Sequence, residues 1–223
     1  MDFRHEWKHI ITPADCIAIR QRMGAVGRPD PHGDRGRYFI RSLYFDNLQD
    51  RALQEKLDGV SRREKFRIRC YDLDYSVIHL ECKRKLGGLG HKDQCDLTAN
   101  EARAIQEGNL DWMAQDERAL VRELYGKMRT PGLQPRTLVD YHREAYLYAP
   151  GNVRITLDSG IRTGLRCTDL LDPHCPTVPV PGDPILLEVK WDAWLPDIIR
   201  DAVQLGNTRT TAFSKYAACR MYD

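Results

Sequence analysis

Residues 62–85 limit the possible folds of this chain more than any other stretch. They read RREKFRIRCYDLDYSVIHLECKRK, with residues 72–76 as a turn between two strands. In both strands charged or polar side chains recur at every second position, and this period is the repeat of a β-strand with two different faces. The regular face here is cationic, whereas in a half-buried strand it is usually apolar. The sequence therefore predicts a hairpin that presents its cations to an anion.

Length and overall charge leave room for one domain over residues 1–223 and do not by themselves indicate a polyanion. The 34 basic and 32 acidic residues nearly cancel, so an anion site must come from segregation of charge. No apolar run approaches the roughly 20 residues of a membrane helix, and the N-terminus lacks the apolar core of a signal peptide. We expect a cytoplasmic protein without membrane insertion. Its seven cysteines include no Cys-x-x-Cys pair, which favours reduced thiols.

Residues 5–9 match the His-Glu-x-x-His pattern of zinc hydrolases. That chemistry needs a helix, because only there do two histidines four residues apart share a face. The predicted helix begins after the motif, with Thr12 as N-cap and Pro13 at the first helical position. The pattern therefore favours a strand over residues 3–11, with Glu6 and Lys8 on one face, rather than a zinc site.

The rest of the chain is predicted to contain further strands and helices joined mostly by short turns. Strands are expected over 38–46, 91–97, 137–148, 152–159 and 184–192, and helices over 13–24, 48–57, 98–107, 116–128 and 196–205. About eight strands with at least four helices indicate an antiparallel α+β domain. Eight antiparallel strands can close into a barrel whose interior holds one small ligand.

Charged residues recur in the middle of the predicted strands and would meet inside such a barrel. The converging residues are Lys8, Arg67, Arg69, Lys83, Lys85, Arg143, Arg154 and Lys190, together with Glu6, Glu81 and Glu188. Crowded like charges in a partly desolvated cavity are costly unless an anion or internal ion pairs neutralise them. A polyphosphate chain offers many oxygens for guanidinium and ammonium groups. From the residues alone, Glu188 is either an ion-pair partner or a ligand of Mg²⁺ or Mn²⁺.

Six ordered motifs resemble the polyphosphate polymerase domain of the vacuolar transporter chaperone (VTC) family, a branch of the triphosphate tunnel metalloenzymes. They are RREKFRIRCY at 62–71, LECKRK at 80–85, YHREAY at 141–146, RITLD at 154–158, LEVK at 187–190 and SKY at 214–216. The resemblance implies an α+β fold in which an eight-stranded antiparallel β-barrel forms a tunnel, with helices packed on its outside. We expect Arg67, Arg69, Glu81 and Lys83 to point inward, and Phe66, Ile68, Cys70 and Cys82 to pack outward against helices.

The resemblance also implies roles for individual residues. It makes Glu188 the ligand of Mn²⁺ or Mg²⁺, and it makes phosphate contacts of Lys8, Arg67, Arg69, Lys83, Lys92, Arg143, Arg154, Ser214 and Lys215, with Lys190 on the same face. One departure concerns the Glu-x-Glu-x-Lys motif of the wider superfamily. Its first acidic position is Arg4 here. This replacement favours the polymerase branch over a hydrolytic site with two metal ions.

The leading hypothesis is a metal-dependent phosphotransferase that binds ATP, triphosphate or polyphosphate. It would transfer the γ-phosphoryl group of ATP to a growing polyphosphate chain. One alternative is a hydrolase that cuts tripolyphosphate or a nucleoside triphosphate in the same tunnel, and another is a polyphosphate-binding module without turnover. Nucleic acid is disfavoured as a partner, because the net charge is near zero and only Tyr71 and Tyr141 are interleaved with the cations.

Overall fold

Eight long strands form the framework of the protein, whose computed structural model describes residues 4–206 and 211–221. The strands of the sheet are β1 (His5–Ile11), β2 (Arg28–Pro29), β3 (Arg37–Asp46), β4 (Arg63–Tyr71), β5 (Asp74–Leu86), β6 (Leu89–Leu97), β7 (Gln134–Tyr148), β8 (Val153–Thr163), β9 (Val178–Pro179) and β10 (Ile185–Trp191). The long strands follow the spatial order β1-β10-β8-β7-β3-β4-β5-β6, and the two-residue strands β2 and β9 pair with β7 and β8. Neighbouring strands along this order are antiparallel.

The sheet curls until its two edge strands meet. The backbone N–H of Arg4 donates to the carbonyl oxygen of Gly90 over 3.3 Å, which forms an antiparallel bridge between the two edges. Because alternate side chains of a strand share a face, one face of every strand lines the common interior. The predicted α+β fold, with an eight-stranded antiparallel tunnel and helices, is confirmed.

Six helices accompany the sheet in the described residues: α1 (Pro13–Val26), α2 (Arg51–Leu57), α3 (Ala99–Glu107), α4 (Ala119–Arg129), α5 (Asp197–Ala202) and α6 (Lys215–Cys219). Short 3-10 helices cover Asp111–Gln115 and Pro150–Asn152. Two of the α-helices begin with a capping box. In α1 the Thr12 hydroxyl accepts from the Asp15 N–H while the Asp15 carboxylate accepts from the Thr12 N–H, and Thr98 and Glu101 repeat this arrangement in α3. The local sequence therefore fixes where these two helices begin.

Four helices cover the outward face of the sheet. Phe66 and Ile68 of β4 are fully buried in a cluster with Ile105 of α3 and Leu124 of α4, and Cys70 and Cys82 belong to the same cluster. The predicted outward orientation of these four strand residues is confirmed. Further along the same outward face, α1 and α5 pack against β8 and β10 through a second apolar cluster. None of the helices in the described ranges is long and apolar enough to cross a membrane.

The C-terminal helix α6 lies differently, against residues of the interior face. Tyr216 stacks on Tyr44 with ring centroids 5.1 Å apart, and it shares an apolar cluster with Ile40 and Leu186. Its hydroxyl donates to the Asp46 carboxylate over 2.6 Å. The sequence predicts no helix here, because five residues are too few to show a helical period.

Cys167 and Cys175 are joined by a disulfide in the segment between β8 and β9. The expectation of reduced thiols is wrong for this pair. The two residues lie in a proline-rich segment for which the sequence predicts no regular structure. Leu170, between the two cysteines, is fully buried in the same apolar cluster as Cys175, so the segment packs onto the protein.

Candidate functional site

The interior of the curled sheet contains a cavity of about 200 Å³ with mostly charged walls, which we call the tunnel cavity. Eleven basic side chains line it, against two acidic ones. They are Lys8, Lys56, Arg63, Lys65, Arg67, Arg69, Lys83, Lys85, Arg143, Lys190 and Lys215, with Glu6 and Glu188. Strands β1, β4, β5, β7 and β10 supply most of these residues, while Lys56 comes from α2 and Lys215 from α6. The cavity is therefore strongly cationic although the whole chain is nearly neutral.

Two carboxylates, Glu6 of β1 and Glu188 of β10, lie against the same lysine. The Nζ of Lys8 is 2.9 Å from one Glu188 oxygen and 3.3 Å from one Glu6 oxygen. Lys190 Nζ is 3.2 Å from the other Glu188 oxygen. Burial alone would raise the pKa of Glu188, but Lys8 and Lys190 hold it well below its usual range. Glu188 is therefore ionised at neutral pH.

Further buried carboxylates orient the guanidinium groups. Glu81 is fully buried, and one of its oxygens is 2.6 Å from Arg67 Nε and 3.6 Å from Arg69 Nη1. Asp158 accepts two hydrogen bonds from Arg143, from Nε and Nη2, each over 2.7 Å. Such bidentate pairs fix the plane of the guanidinium as well as its position. The arginines are therefore held in place before any ligand arrives.

Tyr141 lies among three of these cations. Arg69 Nη2 donates to its hydroxyl over 3.2 Å, and Lys215 Nζ and the Arg143 guanidinium carbon stand 4.7 Å and 5.4 Å from its ring centroid. Burial alone would raise the pKa of this phenol, but Arg143, Arg69 and Lys215 lower it. The ring thus lies among three positive groups: its negative face attracts Lys215 and Arg143, and its hydroxyl oxygen accepts from Arg69.

Three cations of the cavity, Lys56, Arg63 and Lys65, have no carboxylate within ion-pair distance among the described residues. We call these three residues, which come from α2 and the start of β4, the rim cations. Arg63 donates to the Val60 carbonyl. Lys65 Nζ is 3.4 Å from the Ser214 hydroxyl. Burial, together with Lys56 and Arg63, lowers the pKa of Lys65 to about 7.

A family model of the VTC domain matches residues 3–222. The chain belongs to the VTC-domain family. The family assignment made from the six sequence motifs is therefore confirmed. No curated protein matches the chain.

The VTC domain is also similar to solved structures at low sequence identity. One is a candidate adenylate cyclase from Bacillus halodurans, with a TM-score of 0.49, 13% identity, and coverage of 84% of this chain and 81% of the other. A candidate adenylate cyclase from Vibrio parahaemolyticus has a TM-score of 0.48 at 10% identity, covering 90% and 82%. A protein from Pyrococcus horikoshii has a TM-score of 0.43 at 13% identity, covering 90% and 84%.

The structure of this VTC domain brings most of the predicted site residues together. Glu188 and eight of the ten predicted contact residues line the tunnel cavity: Lys8, Arg67, Arg69, Lys83, Arg143, Lys190, Ser214 and Lys215. The other two lie apart from its walls. Lys92 Nζ donates to Glu81 over 2.8 Å, and Arg154 Nη2 donates to Asp30 and to the Tyr38 hydroxyl over 2.7 Å each. The phosphate-binding role of all ten residues stays a prediction.

The sequence places Lys65 on the cationic face of the hairpin, but neither the rim cations nor Asp158 are among the predicted site residues. Arg63 and Lys65 continue the two-residue period of Arg67, so the signal for them is present in the hairpin. Lys56 could not be found in this way. It belongs to a short helix, and the position of that helix relative to the strands is not encoded in a local pattern.

Two carboxylates of this VTC domain lie close enough together to bind one divalent ion, but they lack a third protein ligand of their kind in the described residues. Within residues 4–206 and 211–221, no group of three or more His, Cys, Asp or Glu side chains is placed to hold a metal. Glu188 and Glu6, however, converge on one cation, the Lys8 ammonium, and carboxylate oxygens are the ligands that Mg²⁺ and Mn²⁺ prefer. These two carboxylates are the described residues of the cavity that could hold a divalent ion.

Proposed function

We propose that this VTC domain is a metal-dependent phosphotransferase of the polyphosphate polymerase type. An oxygen of a polyphosphate chain bound in the tunnel cavity would attack the γ-phosphorus of ATP, the bond to the β,γ-bridging oxygen would break, and ADP would leave. The family and the cationic interior support a triphosphate tunnel fold that binds phosphates. The observation that carries the proposal is the excess of eleven basic over two acidic side chains in the lining of one cavity, which the buried Glu81 and Asp158 reduce but do not remove. Such an excess needs a polyanion to balance it.

The side chains of the cavity would act by positioning and by neutralising charge. A guanidinium has five N–H donors. Arg143 uses Nε and Nη2 for Asp158, and Arg67 uses Nε for Glu81 and Nη1 for the Tyr44 hydroxyl, so each retains at least one N–H group for phosphoryl oxygens. Lys8 and Lys190 would supply point charges along the same wall. Burial and Lys8 hold the pKa of Lys83 well below its usual value, and a bound phosphate would favour its charged form. Because the attacking atom is an oxygen of the phosphate chain itself, the reaction needs no nucleophilic side chain, and phosphoryl transfer depends mainly on positioning and electrostatics.

Glu188 and Glu6 would hold the divalent ion, which when bound would neutralise phosphoryl oxygens of the donor. The lysines around these carboxylates keep them ionised. Burial alone would raise the pKa of Glu6, but Lys83 and Lys8 lower it. Both carboxylates would therefore be available to a metal ion throughout the neutral pH range.

The test is incubation of the purified protein with ATP and Mn²⁺, followed by separation of long polyphosphate from orthophosphate. We expect long chains to form. Glu188→Gln and Arg143→Gln should each lower the rate about 100-fold or more, the usual effect of removing one preorganised electrostatic group. The control Arg103→Gln removes an exposed charge from α3 and should leave the rate unchanged.

Two outcomes would replace the proposal by its alternatives. Release of orthophosphate without chain growth would assign the tunnel to a hydrolase. Thermal stabilisation by tripolyphosphate without any product would assign it to a binding module, with a gain of about 2.7 kcal/mol at a hundredfold excess over Kd. Absence of both product and stabilisation would contradict phosphate binding itself.

A further inference from the structure

One hydroxyl group in the wall of the tunnel is buried without a hydrogen-bond partner. Thr156 lies in the middle of β8 and is 2% exposed, and its Oγ1 makes no hydrogen bond within residues 4–206 and 211–221. Burying a hydroxyl without a partner costs free energy, and buried polar side chains of folded proteins are nearly always paired. The position of this hydroxyl therefore calls for an explanation in terms of function.

Thr156 belongs to the interior face of β8. Side chains at every second position of a strand share a face, so Thr156 points to the same side as Asp158. The Asp158 carboxylate lies 2.7 Å from Arg143 Nε and 2.6 Å from Lys215 Nζ, and both of these cations line the tunnel cavity. The unpaired hydroxyl is thus directed to the side on which the candidate site lies.

Glu188 is the polar neighbour of Thr156 across the sheet. The strand register places Thr156 directly opposite Glu188 of β10 on one side and opposite Ala145 of β7 on the other. Directly opposed side chains have Cβ atoms roughly 5 Å apart, and alanine has no polar group. Along β8, the neighbours on the same face are Arg154 and Asp158, and each forms an ion pair with another residue. The hydroxyl therefore stands closest in function to the Glu188 carboxylate.

In the free protein both oxygens of Glu188 are held by lysines. One lies 2.9 Å from Lys8 Nζ and the other 3.2 Å from Lys190 Nζ. These ammonium groups would be repelled by a divalent ion on Glu188, so at least one oxygen would need a new partner. Carboxylates that bind metal ions are generally fixed by a hydrogen bond from a second residue. A neutral hydroxyl can supply that bond beside a cation, whereas an ammonium group cannot do so without repulsion.

We infer that Thr156 is a positioning residue for the divalent ion, because its hydroxyl donates to the Glu188 oxygen that the ion leaves free. The hydrogen bond would hold the carboxylate in the direction of the ion after the lysines have withdrawn. The inference rests on the proposed function, in which Glu188 and Glu6 hold that ion. It adds a residue that acts on the metal site without touching the phosphate chain.

Titration with Mn²⁺, followed by the electron paramagnetic resonance signal of the unbound ion, tests the inference. Thr156→Val keeps the shape of the side chain and removes the hydroxyl, and it should raise the Kd for Mn²⁺ about tenfold, as the loss of an outer hydrogen bond to a metal ligand does. Thr156→Ser retains the hydroxyl and should bind Mn²⁺ with nearly the wild-type affinity.

Melting temperatures without metal separate this role from a role in the fold. Thr156→Val should melt at or above the wild-type temperature, because it removes a buried polar group that has no partner. Thr137→Val is the matched control. The Thr137 hydroxyl is also buried, on β7, but it lies 3.3 Å from the Thr163 hydroxyl as a hydrogen-bond partner. This variant should melt at a lower temperature and keep the wild-type affinity for Mn²⁺.

Three results would overturn the inference. They are an equal affinity of Thr156→Val and the wild type for Mn²⁺, an equal loss of affinity in Thr156→Ser, and a lower melting temperature of Thr156→Val without metal. If the wild type binds no Mn²⁺, the metal dependence in the proposed function fails together with the inference. If the wild type binds Mn²⁺ and forms polyphosphate from ATP while Thr156→Val binds the ion equally well, the proposed function stands and the role of Thr156 is wrong.

Discussion

Single buried carboxylates determine where the cations of the tunnel point. Glu81 contacts Arg67, Arg69 and Lys92 and is fully buried. Burial alone would raise the pKa of Glu81, but these three cations, Arg67 first, hold it well below its usual range. The residue is thus an internal counter-ion that keeps two arginines in fixed directions when no phosphate is bound.

Glu81→Gln should lower the free energy of unfolding by about 3–5 kcal/mol, because it leaves buried cations without their partner. Tripolyphosphate should restore part of this loss by replacing the missing negative charge. Urea denaturation with and without tripolyphosphate measures both effects. Glu117→Gln, an exposed residue, serves as control and should be neutral. Equal stability of Glu81→Gln and the wild type would contradict the counter-ion role.

Lys65 should take up a proton when tripolyphosphate binds. Its pKa of about 7 in the free protein, against the ordinary 10.5, makes it mostly neutral at slightly alkaline pH. An anion nearby favours the charged form and raises the pKa, so binding at about pH 8 draws a proton from solvent. Calorimetry in two buffers of different ionisation enthalpy measures the uptake. Lys65→Met should reduce it by up to one proton, and equal uptake in the two proteins would refute the assignment.

Two helix-capping residues, one at the candidate site and one away from it, allow the effect of a cap on stability to be compared with its effect on binding. Ser214 caps α6 by accepting from the Ala217 N–H over 3.3 Å, and its hydroxyl also contacts Lys65. Thr98 caps α3 on the outside of the sheet. Ser214→Ala and Thr98→Ala should each cost about 1 kcal/mol of unfolding free energy. Only Ser214→Ala should also weaken the binding of tripolyphosphate. Denaturation and calorimetry on both variants check this, and an equal effect on binding would argue against a role of Ser214 in the site.

The strands could be predicted well because their side chains alternate strictly. The hairpin of β4 and β5 carries charge along one face. Its other face is apolar or thiol except for the pair Glu64 and Arg84 near one end, so both its period and its orientation follow from the sequence. Short elements could not be predicted. The strands β2 and β9 have two residues each and α6 has five, and such lengths contain no measurable period. Their positions depend on tertiary contacts.

The sequence could predict which side chains of a strand face the tunnel, but not which of them line the cavity. Arg67 and Lys8 follow from alternation, and the structure places both in the tunnel cavity. Lys92 and Arg154 lie on strands of the same tunnel, but their side chains turn to Glu81 and Asp30. Which cation pairs with which carboxylate depends on the register between strands that are distant in sequence, and a local pattern carries no information about it.

The tunnel as a whole depends on four ionised carboxylates: Glu6, Glu81, Asp158 and Glu188. The surrounding cations, acting against burial, lower the pKa of each one below its ordinary value of 4.5 or 3.8. A folded-state pKa below the unfolded value stabilises the protein above the unfolded pKa, and this contribution is lost as the pH falls towards the folded value. The unfolding free energy should therefore drop steeply below about pH 4.5.

Urea denaturation at a series of pH values checks this acid dependence. The curve for Glu81→Gln should be flatter below about pH 4.5 than that of the wild type, because one of the four groups no longer titrates. A wild-type stability that is constant down to about pH 3 would contradict the role of the carboxylates.

The junction between the two edge strands has a consequence for how the protein responds to its ligand. Besides the bridge from Arg4 to Gly90, Glu6 of β1 reaches across to Lys83 and Lys85 of β5, within 3.4 Å of each. The same two lysines line the tunnel cavity. A phosphate that bound Lys83 and Lys85 would compete with Glu6 for them. Ligand binding and the contact between β1 and β5 would therefore use the same two lysines. Without a ligand, Glu6 joins β1 to β5 through these ion pairs. With a phosphate in the cavity, the bound phosphate would take over this role from Glu6.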